Sequence, residues 1–236
     1  INFLILRYNT DGSLDENFGD GGAVISDFEL HHDEMYAMVL QPDGKIAAGG
    51  ISAPDAIVAR YNADGSVDTD FGNGHGWIRQ LLNGVGACEG LAVQQDGKLL
   101  MLARVSDLYS YLFRYKIDGT RDSSFGINGR VVTNPVDKEE LQAILIQEDG
   151  KILSTGYSYK VENAGRVSLL FRYNQNGSFD TSFGDSGKII TKFDTARVLT
   201  DRLLIQPDKQ IITVGAYGSK TDISNINGAL FKFNKD

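Results

Sequence analysis

Four segments of the chain are versions of one another. They read RYNTDGSLDENFGDGG from Arg7, RYNADGSVDTDFGNGHG from Arg60, RYKIDGTRDSSFGING from Arg114 and RYNQNGSFDTSFGDSG from Arg172. Each is followed by a short apolar run and then by QPDGK (41–45), QQDGK (94–98), QEDGK (147–151) or QPDKQ (206–210). A fifth version opens with KFNKD at 232–236. Self-similarity at a spacing of this length is the mark of a repeat architecture, in which each unit buries its apolar faces against its neighbours. The expectation is one repeat body over 1–236, with units of approximately 3–56, 57–110, 111–168 and 169–229 and the start of a fifth at 230–236.

Every unit holds four β-favouring runs separated by turn signals. In the first unit they lie at 3–8, 23–26, 36–41 and 45–49; the later units repeat the series, and 230–233 is a seventeenth run. None has helical periodicity. Several runs are apolar at successive positions: AMVL (37–40), LLML (99–102), AILI (143–146) and LLI (203–205). Strand side chains alternate between faces, so such runs predict sheets covered on both sides. Stacked four-stranded antiparallel sheets meet that demand, and they are the blades of a β-propeller. The fold expected is therefore all-β, about four blades of four strands. Three closures fit: an arc of a larger ring of about seven blades, a small closed ring, or a ring completed by a second chain. The arc is favoured here, because both ends of the chain fall within a repeat.

The connection after the first run reads N-x-D-G-S-x-D-x-x-F-G-x-x-G. Asp-Gly supplies a tight turn. The second Asp (Asp15, Asp68, Asp122, Asp180) is placed to accept backbone N–H groups. The Phe three residues on (Phe18, Phe71, Phe125, Phe183) is placed to plug the space between blades, and the Gly after it permits positive φ. Arg7, Arg60, Arg114 and Arg172 are expected to pair with these Asp residues through a two-toothed guanidinium contact; Lys232 lacks the fork. The alternation of Asn9, Asp11, Ser13 and Asp15 also suggests calcium, the one cofactor the sequence raises. Its Gly is misplaced for an EF-hand and no Glu closes the loop, so the turn reading is preferred and no metal site is assigned.

These residues resemble the bacterial delta-60 repeat, L/F-x-RYN-x-DGS-x-D-x-x-FG-x-x-G followed by LQPDGKI-x-x-x-G. The resemblance runs the length of the chain. It implies a β-propeller from an exported or surface protein of a bacterium, and it carries no catalytic residues. The sequence departs from the pattern at PDKQ in the fourth unit and stops after one strand of the fifth.

Within a blade, the turn motifs fall at one end of the strands and variable connections at the other: 29–34, 51–56, 82–89, 105–110, 134–140, 157–167, 194–200 and 217–228. Loops that vary on a constant scaffold are where binding evolves, so this end is the expected functional surface. Tyr109, Tyr157, Tyr159 and Tyr217 are its candidate ligand contacts; Tyr111 reads equally as core. The HHDE run at 31–34 reads as a solvated loop, because adjacent side chains on an extended chain diverge. Cys88, the single cysteine, has no His–Asp partnership that would make it a nucleophile.

The net charge of −8 argues against nucleic acid, which calls for a basic stripe, and no run approaches the length of a membrane span. The function expected is a non-enzymatic interaction module, extracellular or on the cell surface, whose partner is a protein or a glycan. The rest of a longer parent chain or a second copy would complete the ring. A glycan-binding propeller is the alternative, and a polysaccharide-active enzyme the third reading.

Overall fold

The structure, a computed structural model, describes residues 2–28, 32–105, 109–133, 138–159, 166–192, 196–219 and 226–234. Every regular element among them is a strand: β1 (Phe3–Leu6), β2 (Ala23–Ser26), β3 (Asp33–Leu40), β4 (Ile46–Ser52), β5 (Asp55–Tyr61), β6 (Trp77–Gln80), β7 (Gly86–Val93), β8 (Leu99–Val105), β9 (Tyr109–Tyr115), β10 (Arg130–Val132), β11 (Glu139–Ile146), β12 (Ile152–Ser158), β13 (Val167–Tyr173), β14 (Lys188–Thr191), β15 (Ala196–Ile205), β16 (Ile211–Ser219) and β17 (Ile226–Phe233). The chain divides into two compact units, Ile1–Ser106 with Tyr115–Asp122, and Asp107–Arg114 with Ser123–Asp236.

The first unit contains the β1-β2 pair, the four-stranded sheet β3-β4-β5-β6 and the β7-β8 pair. The second contains the β9-β10 pair, the four-stranded sheet β11-β12-β13-β14 and the three-stranded sheet β15-β16-β17. All pairings are antiparallel between strands consecutive in sequence, the up-and-down order of a propeller blade. The sheets are out of phase with the sequence repeat. A sheet opens at the third run of one repeat and closes at the second run of the next, so blade boundaries fall inside the repeats.

Turn chemistry explains the hairpins. In the first DGK turn the Lys45 N–H donates to Asp43 Oδ1 at 3.1 Å, and Gly44 takes φ +84°. In the fourth repeat Lys209 stands at the glycine position with φ +67°, a conformation side chains disfavour.

The first strand of each series carries a bulge. Its register against the second strand slips between Met35 and Ala37, Cys88 and Gly90, Leu141 and Ala143, and Thr200 and Arg202, which leaves Tyr36, Glu89, Gln142 and Asp201 as the inserted residues. A bulge bends its strand and re-aims a side chain. It also drives one backbone onto the other. A Cβ added at Gly156 would lie 2.0 Å from the Glu140 carbonyl oxygen, and at Gly50 or Gly215 the gap is 1.8 Å. Gly156→Ala is expected to lower stability by about 1–3 kcal/mol through overpacking, measured by urea unfolding; a loss under about 0.5 kcal/mol would show that the bulge is not fixed by that contact.

Burial follows position in the sheet. Strands β5 and β13, interior to their sheets, are buried at every residue. In the first unit Phe3 and Ile5 of β1 form one cluster with Phe18 and with Ile57, Ala59 and Tyr61 of β5. In the second, Leu170 of β13, Leu153 and Phe183 cluster with Ile211, and Phe233 of β17 packs against them. LLML of β8 is buried at all four positions. The other apolar runs correct the expectation of cover on both sides. Met38, Leu40 and Leu204 are exposed, and AILI is only partly covered. These three runs lie on the first strand of a sheet, where one neighbouring strand is present instead of two.

Candidate functional site

At the turn end the repeated residues interlock. Arg7 Nε donates to Asp15 Oδ2 at 2.8 Å, Arg60 to Asp68 at 2.5 Å and Arg172 to Asp180 at 2.7 Å. Each guanidinium also lies over the Phe of its own repeat: Arg7 on Phe18, Arg60 on Phe71, Arg114 on Phe125 and Arg172 on Phe183, at 4.2–4.7 Å. The two-toothed contact expected from the sequence is replaced by a split one. One edge of the Arg7 guanidinium meets the carboxylate, and Nη1 donates to the Ala63 carbonyl of the next repeat. Arg60 reaches Ile117 and Arg114 reaches Gln175 in the same way. Stacking on the ring fixes the guanidinium plane, and within that plane its other edge is taken by the carbonyl of the next repeat.

The lysine of the DGK turn completes the group. Lys45 reaches Asp68 at 2.8 Å, Lys98 reaches Asp122 at 3.4 Å and Lys151 reaches Asp180 at 2.8 Å. Burial of Asp68 opposes its ionisation, but Lys45 and Arg60 outweigh it and hold the carboxyl below its ordinary range. The glycines after the Phe all have positive φ, and their N–H groups donate onward: Gly19 to Asp64, Gly72 to Asp118 and Gly126 to Asn176, at 2.8–3.0 Å. The residues that suggested calcium are bonded to one another. Asp11 Oδ1 accepts from the N–H and hydroxyl of Ser13, and Asn9 Nδ2 donates to Ser13 Oγ. Among the described residues no three His, Cys, Asp or Glu side chains gather as a metal-binding group.

The variable end carries the exposed chemistry. In the second unit Glu140 of β11 accepts the Tyr157 hydroxyl at 2.6 Å on Oε2 and the Tyr159 hydroxyl at 2.8 Å on Oε1. The two rings meet edge to face at 5.5 Å, and the Arg166 guanidinium lies 4.4 Å from the Tyr159 ring and 5.5 Å from the Tyr157 ring. Burial and then the bond to Glu140 push the Tyr157 hydroxyl up, away from ionisation. Of the four tyrosines singled out in the sequence, two are thus brought together. Tyr109 opens β9 and Tyr217 lies in β16, opposite Val198 and Asn227. Tyr111 stacks on Phe113 at 5.7 Å.

A related group sits in the first unit. Glu34 accepts the Tyr36 hydroxyl at 2.6 Å and lies 2.7 Å from His32 Nε2, and Arg104 Nε donates to Glu89 at 2.7 Å. Burial, then the Glu34 bond, push the Tyr36 hydroxyl up to about 12. Glu34, Tyr36, Glu89, Glu140 and Arg166 were not singled out as ligand contacts in the sequence. Two of them, Tyr36 and Glu89, are bulge residues, and a bulge leaves no motif.

The HHDE run is corrected in part. Asp33 is fully buried at the start of β3 and accepts the Phe28 N–H at 3.0 Å; His31 lies outside the described residues. His75 of the NGHG turn has its ring 5.5 Å from that of Trp77. Cys88 is buried, and burial pushes its thiol up, opposite to the shift that activates a nucleophile.

Beside Glu140, Glu139 points inward and is buried. Thr133 Oγ1 donates to the Ser110 carbonyl at 2.7 Å and also contacts Glu139 Oε1. Thr133 Oγ1 thus lies between two buried acceptors. Burial pushes the Glu139 carboxyl up to about 8 against the opposing effects of Thr133 and Lys188.

Two clefts open at the turn end. One in the second unit, about 840 Å³, is bordered by Glu148, Lys151, Arg172, Ser182 and Lys209. One in the first, about 470 Å³, is bordered by Lys45, Arg60, Asp96, Lys98 and Asp118. Their charged walls are engaged in the repeat's own ion pairs, including Lys209 with Glu148 at 3.0 Å.

Up-and-down antiparallel sheets of up to four strands, with apolar faces packed on one another within each unit, define the chain as one of β-propeller blades. The family model described as a domain of unknown function (DUF5122) β-propeller matches residues 2–18, 41–71 and 147–183. These segments hold the Arg, Asp and Phe of the first, second and fourth repeats. None of the curated proteins matches the chain. Among solved structures it is similar to a protein of unknown function from Bacteroides caccae, at 9% identity and TM-score 0.47 over 83% of this chain and 60% of that one. It is similar also to a candidate exo-beta-1,3-galactanase from Bifidobacterium bifidum s17, at 11% identity and TM-score 0.41 over 83% and 65%. A third is the extracellular domain of a candidate one-component system from B. thetaiotaomicron, at 10% identity and TM-score 0.34 over 91% and 33%. The chain thus spans less than two thirds of the length of each of these. Among the described residues no helix is long and apolar enough to cross a membrane.

Proposed function

We propose that the chain is a non-enzymatic interaction module of the delta-60 repeat type, part of an exported or cell-surface bacterial protein, binding through the variable ends of its blades. The observation that carries this reading is the Glu140–Tyr157–Tyr159–Arg166 group. It gathers two aromatic rings, a carboxylate and a guanidinium at the variable end, Tyr159 exposed and the others half-buried, held by mutual bonds instead of by a core. Preorganised groups of this kind lose little freedom when a partner arrives. The partner is a protein or a glycan.

The tyrosine pair specifically favours a glycan as the second reading, because aromatic faces stack on sugar C–H faces while the carboxylate accepts hydroxyl hydrogen bonds. A glycan array with the chain and with the double variant Tyr157→Ala, Tyr159→Ala tests both. A hit weakened about tenfold or more in the variant, as loss of an aromatic anchor implies, supports the glycan reading. A hit that the variant retains removes it. Turnover of any arrayed polysaccharide would overturn the non-enzymatic assignment.

A further inference from the structure

We propose that the cleft between the edge strands β2 and β6, with Trp77 on its wall, binds a single pyranose unit of a carbohydrate. The cleft lies wholly in the first unit and shares no residue with the Glu140 group, so it goes beyond the reading above. It forms where the second repeat leaves the pattern of the others. Between the Phe and the next strand, three repeats have four residues, GDGG, GING and GDSG, and the second has five, GNGHG. In the three, the second residue of the turn donates its N–H to the carbonyl of the residue that opens the strand: Asp20 to Ala23, Ile127 to Arg130 and Asp185 to Lys188, each at 2.8 Å. In the second repeat the His75 N–H donates back to the Gly72 carbonyl at 3.3 Å, and the strand opens with Trp77, the single tryptophan of the chain. Ala23, Arg130 and Lys188 hold that place elsewhere, so the scaffold needs no indole there.

A second departure makes room for a ligand. Tyr61, Tyr115 and Tyr173 each form a bridge with the residue six places on, Val67, Arg121 or Phe179. Arg121 lies over the Tyr115 ring at 5.2 Å, and Phe179 stacks on Tyr173 at 4.7 Å. The Val67 side chain is too short for either contact. Beside it is a cavity of about 270 Å³ bordered by Tyr61, Ser26, Asp27, His75 and Trp77. That is the space of about nine waters at about 30 Å³ each. It falls below the about 300–1,000 Å³ of drug-sized sites and suits one small ring.

The walls combine an aromatic surface with hydrogen-bonding groups. A pyranose requires that pairing, because its C–H faces are apolar and its rim carries hydroxyls. Trp77 is half-buried and held by three contacts: the Phe28 ring edge-on at 6.0 Å, the His75 ring at 5.5 Å and the Arg79 guanidinium at 5.5 Å. An indole fixed in this way loses little freedom on binding. Phe28 and Tyr61 are buried and form the floor. The Tyr61 hydroxyl donates to Ser26 Oγ at 2.6 Å, which leaves the Ser26 proton for a ligand oxygen. The exposed Asp27 carboxylate accepts from ligand hydroxyls, and the exposed His75 imidazole can donate from one nitrogen and accept on the other. A charged ligand fits less well. Arg79 already lies on the indole where an organic cation would stack, and Asp27 repels an anion.

Because Trp77 is the single tryptophan, its fluorescence reports this cleft alone. The test titrates the chain with methyl β-glucoside, methyl β-galactoside, methyl α-mannoside and N-acetylglucosamine, with glycerol as the control for solvent effects. At least one sugar is expected to change the emission saturably, with half-saturation at about 1–10 mM, the strength open to a ligand of this size. Val67→Phe, which brings in the residue of the fourth repeat, should fill the cleft and remove the change. Val67→Arg, after the third repeat, serves if that variant does not fold. His75→Ala should raise the half-saturation at least threefold. The double variant Tyr157→Ala, Tyr159→Ala should leave the titration intact, so this site and the variable-end group are tested apart. No saturable change with any of the four sugars up to about 100 mM overturns the inference. So does a change that survives filling of the cleft, or one that is lost with the two tyrosines.

Discussion

Phe125→Ala should lower the unfolding free energy of the chain by about 3–5 kcal/mol, the range for removing a large aromatic side chain from a packed site. Phe125 is fully buried and lies on a turn, away from the strands. Its ring is wedged between two turns of successive repeats. The Arg114 guanidinium covers one face at 4.7 Å, and a Cβ placed on Gly177 would come within 2.9 Å of the ring. The Gly126 N–H bonds the Asn176 carbonyl at 2.8 Å beside it. The gap would be hard to fill from the glycine or the arginine, because the glycine offers no side chain and the arginine is tied to Gln175 and Ser124. Truncation also uncovers the guanidinium face that lay on the ring. Urea unfolding at neutral pH measures the effect. A loss below about 1 kcal/mol, the size of a surface change, would mean that the ring is not a plug.

Glu139→Gln is expected to change the pH dependence of stability. The Glu139 carboxyl is raised to about 8 in the folded chain, against about 4.3 when unfolded. A group raised on folding binds its proton more tightly in the native state. Its contribution is therefore fully present below about pH 4.3 and is lost progressively as the pH rises to about 8. The loss amounts to about 4–5 kcal/mol at 1.36 kcal/mol per unit. Glutamine keeps the neutral shape and its amide oxygen can still accept from Thr133, so the variant should match the native chain near pH 4 and exceed it at pH 8–9 by about 2–4 kcal/mol. Chemical unfolding at pH 4, 6 and 8.5 compares the two. Parallel profiles would show that the carboxyl ionises in place, with water or a cation reaching it.

The scaffold was legible because it is written four times. Asp-Gly turns, the Asp that pairs with Arg7 and the buried Phe18 each follow from residue types at fixed spacing, and seventeen strands stand where runs of β-formers were read. The phase of the blades was not legible. A repeat can be cut at any point without changing its period, and only pairing shows that β3 opens a sheet while β5, the first run of the next repeat, continues it. Apolar runs misled for a related reason: AMVL and LLML look alike, but one lies on a first strand and the other on a strand with neighbours. Of the functional candidates, Tyr157 and Tyr159 were visible as two aromatics one residue apart. Glu140 was hidden beside a second glutamate. Nothing in the string EE says that Glu139 goes into the core and Glu140 out to the tyrosines; the strand's alternation does, once its register is known. Arg166 is separated from its rings by a connection whose length carries no signal.

Because a sheet begins halfway through one sequence repeat and ends halfway through the next, the stretch that is copied in the gene is not the body that folds. Losing one whole repeat would remove the end of one sheet and the start of the following one, and the remaining halves would meet as a complete sheet with every neighbour of the right kind. Gaining a repeat works the same way. Such a chain can change length in evolution without ever passing through a member that has a broken blade in its interior, which frees blade number to vary while the arginine–aspartate–phenylalanine joints stay the same.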